Sequence, residues 1–187
     1  MAHPLFVLLF VAWAFVAYGI STYRLRSAKR ELTYEHPLNI ALGLNSKPLM
    51  AAMHQMLTPG KWKITAQEVN GENLIESIKQ TPYIDILLLH ANMPVYSGIE
   101  ITKWVKEYRP EISILVVYLY HQTSIVEEMM AAGAEGNFIL THDREELRTA
   151  VKKIVTKGYY RSPVLPVDRA PFDEAEARRI LQHAELI

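Results

Sequence analysis

Residues 84–119 read IDILLLHANMPVYSGIEITKWVKEYRPEISILVVYL, and this stretch contains two short apolar runs with a helical pattern between them. The runs, Ile84–Leu89 and Ile112–Leu119, have the length of buried strands and are too short for buried helices. Between them, apolar residues recur at the spacing of one helix face: Ile101, Trp104, Val105 and Tyr108. Arg109-Pro110 ends this helix, because the residue before a proline disfavours the helical conformation. The stretch therefore predicts a strand, a helix and a second strand.

The same alternation continues on both sides of this stretch. Further strands are predicted at Asn39–Leu44, Trp62–Val69 and Asn137–Leu140, and further helices at Pro48–Leu57, Glu72–Gln80 and Ser124–Ala132, with a last helix from Asp143 to Gly158. Strands that are apolar along nearly their whole length imply a parallel sheet covered on both faces. The predicted fold class is α/β, a flavodoxin-like doubly wound five-stranded parallel sheet. In such a sheet the default functional site lies at the carboxyl ends of the strands.

An uncharged, strongly apolar segment at residues 1–23 predicts a transmembrane anchor that precedes the α/β domain. The residues expected to lie in the lipid or at its interface are Leu5, Phe10, Trp13, Phe15, Tyr18 and Tyr23. The basic residues that follow are Arg24, Arg26, Lys29 and Arg30. By the positive-inside rule they place the N-terminus outside and the rest of the chain in the cytoplasm. A signal peptide and a buried core helix are the alternatives, although a signal peptide carries its basic residues before the apolar run.

Composition limits the function of the 187-residue chain. It has 20 basic and 20 acidic side chains, so a general affinity for polyanions is not expected. It has no cysteine, which excludes disulfides, thiolate nucleophiles and cysteine metal sites. Charge and proline content divide the chain into an anchor at 1–23, a basic linker at 24–37, the α/β domain at 38–161, and a proline-rich linker with a short amphipathic helix at 162–187.

Several motifs of the α/β domain resemble those of response-regulator receiver domains, in particular the NarL/LuxR type. The motifs are NSKPLMAAMHQML, HANMPVYSGIEITKWVKEYRPEISILVV, MMAAGAEGNFIL and EELRTAVKKIVTKGYYRSP. The resemblance covers residues 38–161 and implies the five-stranded receiver fold. It also implies a bacterial protein, so that the membrane of the predicted anchor would be the inner, cytoplasmic membrane.

The resemblance assigns a phosphorylation pocket whose residues are replaced in this chain. In receivers an acidic pair holds Mg²⁺, an aspartate accepts the phosphoryl group, and a threonine or serine and a lysine bind its oxygens. At these positions the chain has Asn45 and Ser46, then His90, Tyr118 and Leu140. Mg²⁺ prefers carboxylate ligands, and no carboxylate remains to form an acyl phosphate. We therefore expect no Mg²⁺, no cofactor and no enzymatic activity.

His90 is open to more than one interpretation. It is expected to fill a vacated polar pocket, with Asn45 as a hydrogen-bond partner. Phosphoryl acceptance by the imidazole is the alternative, but no lysine, carboxylate or metal is predicted to neutralise the phosphoryl group. A pH-sensing role or a partner contact is also open. Tyr118 and Tyr120 flank the exit of the fourth strand and are expected to plug the pocket, with an aromatic surface for a partner as the alternative. Asn137 stands where receivers carry an aromatic switch residue.

The C-terminal segment does not favour DNA binding. Its sequence FDEAEARRILQHAELI faintly resembles the first helix of the DNA-binding domain of the NarL/LuxR type, and residues 162–187 are net acidic. No recognition helix follows in this segment, so DNA is not expected as a partner. The amphipathic helix is expected to dock on its own domain or on a partner protein.

These features favour a role in protein–protein contacts. The interpretation is a non-catalytic, membrane-anchored pseudo-receiver, an accessory or regulatory subunit of a membrane protein complex. A phosphorylation-independent signalling adapter is the alternative, and phosphoryl acceptance at His90 is a distant one. By the resemblance, partner surfaces are expected from His121 to Gly133 and on the last helix.

Overall fold

The computed structural model describes residues 37–58, 62–118, 123–140 and 143–162. In chain order the elements are β1 (Asn39–Gly43), α1 (Lys47–Leu57), β2 (Lys63–Glu68), α2 (Gly71–Gln80), β3 (Ile86–His90), α3 (Gly98–Tyr108), β4 (Ser113–Tyr118), α4 (Thr123–Ala131), β5 (Gly136–Ile139), α5 (Arg144–Lys157) and β6 (Tyr160–Arg161). The strands form one parallel sheet in the order β2-β1-β3-β4-β5-β6. The predicted doubly wound α/β fold is thereby confirmed.

The sheet is covered on both faces, which explains the unbroken apolar runs in its central strands β3 and β4. All five residues of β3 are buried. Alternate strand residues point to opposite faces and form two cores. One core includes Leu88, Val117 and Phe138 under α1 and α5, and the other includes Leu89 and Val116 under α2, α3 and α4. The carboxyl ends of the central strands are consequently fixed by packing from both sides.

A sixth strand, β6, was not predicted. Gly158 ends α5 in the left-handed conformation, with φ 81°, and the chain then turns back along β5. The Tyr160 N–H donates to the Glu135 carbonyl at 3.2 Å, and the Ser162 N–H donates to the Asn137 carbonyl at 3.1 Å. The prediction of five strands is therefore wrong by one. A strand of two residues is too short to show any hydrophobic alternation.

Helix α3 is fixed at both ends by side chains. At its start Ser97 and Glu100 form a capping box, in which the Ser97 hydroxyl accepts from the Glu100 N–H and the Glu100 carboxylate accepts from the Ser97 N–H. At its end Arg109 donates to carbonyls at the C-terminus of α2. The bonds reach the oxygens of Ile78 at 2.9 Å, Thr81 at 3.2 Å and Pro82 at 3.0 Å. Arg109 therefore ties the ends of α2 and α3 together.

A partly buried ion pair joins α3 to the loop before β5. Lys106 Nζ lies 2.6 Å from Glu135 Oε1, and each side chain is about one-fifth exposed. The same ammonium donates to the Ile112 carbonyl at 2.7 Å, and Glu135 Oε2 accepts from the Ile114 N–H at 2.7 Å. The pair therefore fixes the start of β4 from two directions.

The predicted transmembrane anchor at 1–23 lies outside the described residues. The same holds for the predicted linker at 24–37, of which only residue 37 is described, and for residues 163–187. Within the described ranges no helix is both long and apolar enough to cross a bilayer.

Candidate functional site

The residues assigned to the receiver pocket lie at one edge of the sheet, where the strands end. His90 is the last residue of β3 and pairs in register with Val117 of β4. Tyr118 ends β4 beside Ile139 of β5. Asn45 and Ser46 follow β1, which pairs with β3, and Leu140 follows β5. The topology therefore gathers these positions at the edge where α/β sheets carry their sites.

His90 is buried, with 7% of its surface exposed. Its Nδ1 accepts a hydrogen bond from the Asn92 N–H at 3.1 Å. An N–H can only donate, so this bond requires an unprotonated Nδ1 and a neutral ring protonated at Nε2. Asn45 is exposed, and the expected bond between Asn45 and His90 is not formed. The hydrogen-bond partner of His90 is instead the backbone N–H of Asn92, two residues later in the same turn.

Ser46 has a local structural role. It is the N-cap of α1, and its hydroxyl accepts from the Leu49 N–H at 3.4 Å. Its carbonyl accepts from the Met50 N–H at 3.0 Å. Among the residues that the structure describes, no three His, Cys, Asp or Glu side chains lie close enough together to hold a metal ion.

Tyr118 and Leu140 occupy the two sides of the sheet at this edge. Tyr118 is 5% exposed and packs in the core under α2, α3 and α4. Leu140 is 4% exposed and packs in the core under α1 and α5. The Leu140 N–H donates to the Tyr118 carbonyl at 2.9 Å. Each side chain adds apolar volume at a position that receivers give to a polar group.

Asn137 and Tyr118 form a polar pair that the sequence did not predict. Asn137 Nδ2 donates to the Tyr118 hydroxyl oxygen at 3.3 Å, and Asn137 Oδ1 accepts from the Ser162 N–H at 3.2 Å. Burial raises the pKa of the Tyr118 phenol to about 12, so the ring is neutral at physiological pH. Asn137 thus joins the end of β4 to the residue that follows β6. Tyr120 lies outside the described residues.

The turn after β3 brings its backbone close to two helices. The Gly98 N–H donates to the Ala91 carbonyl at 2.8 Å, and the Gly71 N–H donates to the Pro94 carbonyl at 2.9 Å. Val95, which follows Pro94 in this turn, has φ 70°. A β-branched residue rarely adopts this left-handed conformation, which costs roughly 1–2 kcal/mol for a residue with a Cβ. The turn therefore holds a strained residue at the tip of the candidate site.

The buried histidine predicts a pH-dependent stability. Burial lowers the pKa of His90 below its ordinary value of 6.5. Well above pH 6.5 the ring is neutral in both states. As the pH falls through 6.5, the unfolded chain binds the proton first, so the free energy of unfolding should decrease and then level off below the folded-state pKa. Urea unfolding between pH 8 and pH 5 measures this change. In His90→Gln this part of the pH dependence should be absent; parallel curves for the two proteins would contradict the prediction.

Comparisons with known proteins agree with this geometry. The response regulator receiver domain family matches residues 45–152. The transcriptional regulatory protein DegU of Brevibacillus brevis is 30% identical over 120 residues, covering 59% of this chain and 50% of that protein. The sporulation initiation phosphotransferase F of Bacillus subtilis is 32% identical over 90 residues, covering 48% of this chain and 71% of that protein. The chain thus spans about half the length of the DegU regulator.

A solved structure shows the same fold. The receiver domain of the stress response regulator RcsB from Escherichia coli superposes with a TM-score of 0.61 at 18% identity, covering 68% of this chain and 99% of that one. At this identity the likeness concerns the fold alone. The family match covers more than half of the chain, and its boundaries enclose β3, β4, β5 and the candidate site between them. The chain therefore belongs to the response regulator receiver domain family.

Proposed function

We propose that this receiver domain works without accepting a phosphoryl group and acts through protein–protein contacts. The observation that carries the proposal is the position of His90, which ends β3 where the family places its phospho-accepting aspartate. Its Nδ1 is already bonded to a backbone N–H, and its ring is buried. A buried neutral imidazole in this state is a poor nucleophile unless it is reoriented.

The neighbouring positions support the same conclusion. Phosphoryl transfer depends mainly on positioning and on neutralising charge with metal ions and cations. Ser46 is used as a helix cap, and Asn45 offers only neutral groups. Leu140 lies in the apolar core at the position where receivers carry a lysine. No described residue at these positions supplies a carboxylate for Mg²⁺ or a cation for the phosphoryl oxygens.

The membrane location is a second part of the proposal and comes from the sequence. The uncharged segment 1–23, followed by a cluster of basic residues, supports a single-pass anchor in the bacterial inner membrane with the receiver on the cytoplasmic side. A tethered domain without phosphorylation chemistry fits an accessory or regulatory subunit of a membrane protein complex. A phosphorylation-independent signalling adapter is the second candidate, supported by the family of the domain.

Labelling with acetyl phosphate tests the chemical part of the proposal. Full-length protein is incubated with acetyl phosphate and Mg²⁺, and phosphorylation is followed by phosphate-affinity gels and ³¹P NMR. The expected result is no label in the wild type. Label in the wild type and in His54→Ala, a matched surface histidine on α1, but not in His90→Ala, would instead establish a phosphohistidine.

Co-purification separates the two protein-contact candidates. The full-length protein is isolated from native membranes in mild detergent, and its companions are identified by mass spectrometry. A stoichiometric membrane assembly is the result expected of an accessory subunit. A kinase or regulator at low occupancy would instead favour the signalling adapter.

A further inference from the structure

An open groove runs between α2 and α3 on the face away from α1 and α5. It has a volume of about 640 Å³. We define this α2–α3 groove by three apolar residues, Ile75, Tyr96 and Trp104, and three acidic ones, Glu72, Glu76 and Glu100. Ile75 and Trp104 are half-buried, and Tyr96 is 41% exposed. The groove lies apart from the strand ends of the candidate site, except where the turn after β3 reaches it.

Exposed apolar side chains lie next to residues of the α2–α3 groove. Tyr108, 60% exposed, lies against Trp104 with ring centroids 5.4 Å apart. In the turn after β3, the strained Val95, which is 65% exposed, directly precedes the groove residue Tyr96. These are three of the most exposed large apolar side chains of the described residues. Exposed aromatic and branched side chains beside a groove are typical of a surface that binds another protein.

The charge along the α2–α3 groove is negative. Three carboxylates line it, against one ammonium, that of Lys79. Lys79 Nζ lies 3.3 Å from the Glu76 carboxylate and 6.0 Å from the centroid of the Trp104 ring. The chain's own lysine thus shows that this ring face, with a carboxylate beside it, accommodates a cation. Lys103, also on α3, does not line the groove, although its charge acts on the Glu100 carboxylate.

We propose that the α2–α3 groove binds a short segment of a partner protein in which lysine or arginine residues flank a large apolar side chain. The apolar side chain packs on Tyr96 and Trp104, and the cations pair with Glu72 and Glu100. This inference rests on the proposed function, since it names a surface for the protein contacts. The acidic lining disfavours a second copy of the same face and an anionic lipid headgroup, because both would bring like charges together.

A fluorescence titration tests the proposal on the full-length chain. The chain has three tryptophans. Trp13→Phe and Trp62→Phe leave Trp104 as the reporter in protein reconstituted in phosphatidylcholine vesicles. The probes are the capped hexapeptides KLKKLK and ELEELE. KLKKLK should change the Trp104 emission saturably, whereas ELEELE should not.

Charge variants of the groove sharpen the test. Glu72→Gln with Glu100→Gln should weaken KLKKLK binding about tenfold, the effect of losing two exposed charge pairs. Glutamine preserves the capping box at Ser97, so the helix start remains intact. The matched control, Glu127→Gln with Glu128→Gln, neutralises two exposed acids on α4 and should leave the affinity unchanged. Far-UV circular dichroism establishes that each variant is folded.

Four outcomes would overturn the proposal. Equal responses to the two peptides, or the same affinity in the groove and control variants, would show that the groove does not select cations. Tighter KLKKLK binding after Arg24, Arg26, Lys29 and Arg30 are changed to Gln would identify this chain's own basic segment as the occupant. A dimer that Trp104→Ala dissociates would identify a second copy. None of these outcomes alters phosphate labelling, so failure of the groove and failure of the proposed function are distinguishable.

Discussion

Gly98→Ala is expected to lower the free energy of unfolding by about 3 kcal/mol, since overpacking against rigid neighbours lies at the upper end of its usual range. A Cβ at this position would lie 2.7 Å from the His90 carbonyl oxygen and 2.8 Å from the Ala91 carbonyl oxygen. Both atoms belong to the backbone. The turn cannot simply shift, because the Gly98 N–H is bonded to the Ala91 carbonyl and β3 is fixed in the sheet.

Urea unfolding of wild type and Gly98→Ala at pH 7.5 measures this loss. Lys103→Ala, an exposed change on the same helix, is the control and should alter stability by less than about 0.5 kcal/mol. A variant that is partly unfolded without urea is judged by its folded fraction in circular dichroism at low temperature. A loss below about 1 kcal/mol would mean that the turn relaxes and that the close approach is not required.

Glu135→Ala should destabilise the domain by about 2–3 kcal/mol. The change removes the ion pair with Lys106 and the acceptor of the Ile114 N–H, near the start of the buried strand β4. Breaking a buried pair by removing one partner costs roughly 3–5 kcal/mol. The value here is smaller because both side chains are about one-fifth exposed and Lys106 retains its bond to the Ile112 carbonyl.

Thermal and urea unfolding of three variants test the role of this pair. Glu135→Gln keeps an oxygen acceptor and should lose less stability than Glu135→Ala. The control, Glu127→Ala, removes an exposed carboxylate from α4 and should change stability little. If Glu135→Ala loses no more unfolding free energy than the control, the ion pair does not stabilise the start of β4, and the sheet alone holds this strand in place.

The fold was predictable because its strongest signals are local. β3 is buried throughout, so its apolar run is unbroken and marks a central parallel strand. The spacing of Ile101, Trp104, Val105 and Tyr108 predicted α3 in the same way. Of these four residues Ile101 and Val105 are buried, Trp104 is half-buried and Tyr108 is exposed. β6 gave no such signal, since it has two residues and owes its place to backbone bonds with β5.

The candidate site was predictable only at the level of position. Motif resemblance places His90 and Tyr118 at the ends of neighbouring strands, and the sheet order puts them there. Their hydrogen-bond partners depend on the local path of the turn and on strand register. The bond from the Asn92 N–H to His90 and the bond from Asn137 to Tyr118 therefore follow from the three-dimensional structure alone.

The bonds of Arg109 have a kinetic consequence. The Arg109 guanidinium binds carbonyls at the C-terminus of α2, and the Arg109 backbone N–H caps the end of α3. The two helices are therefore held together before anything binds between them. A preorganised surface loses little entropy when it is occupied, and it needs no opening step before an encounter succeeds. Association with the α2–α3 groove should then be limited by diffusion and orientation, and sequence differences among ligands should appear mainly in their dissociation rates.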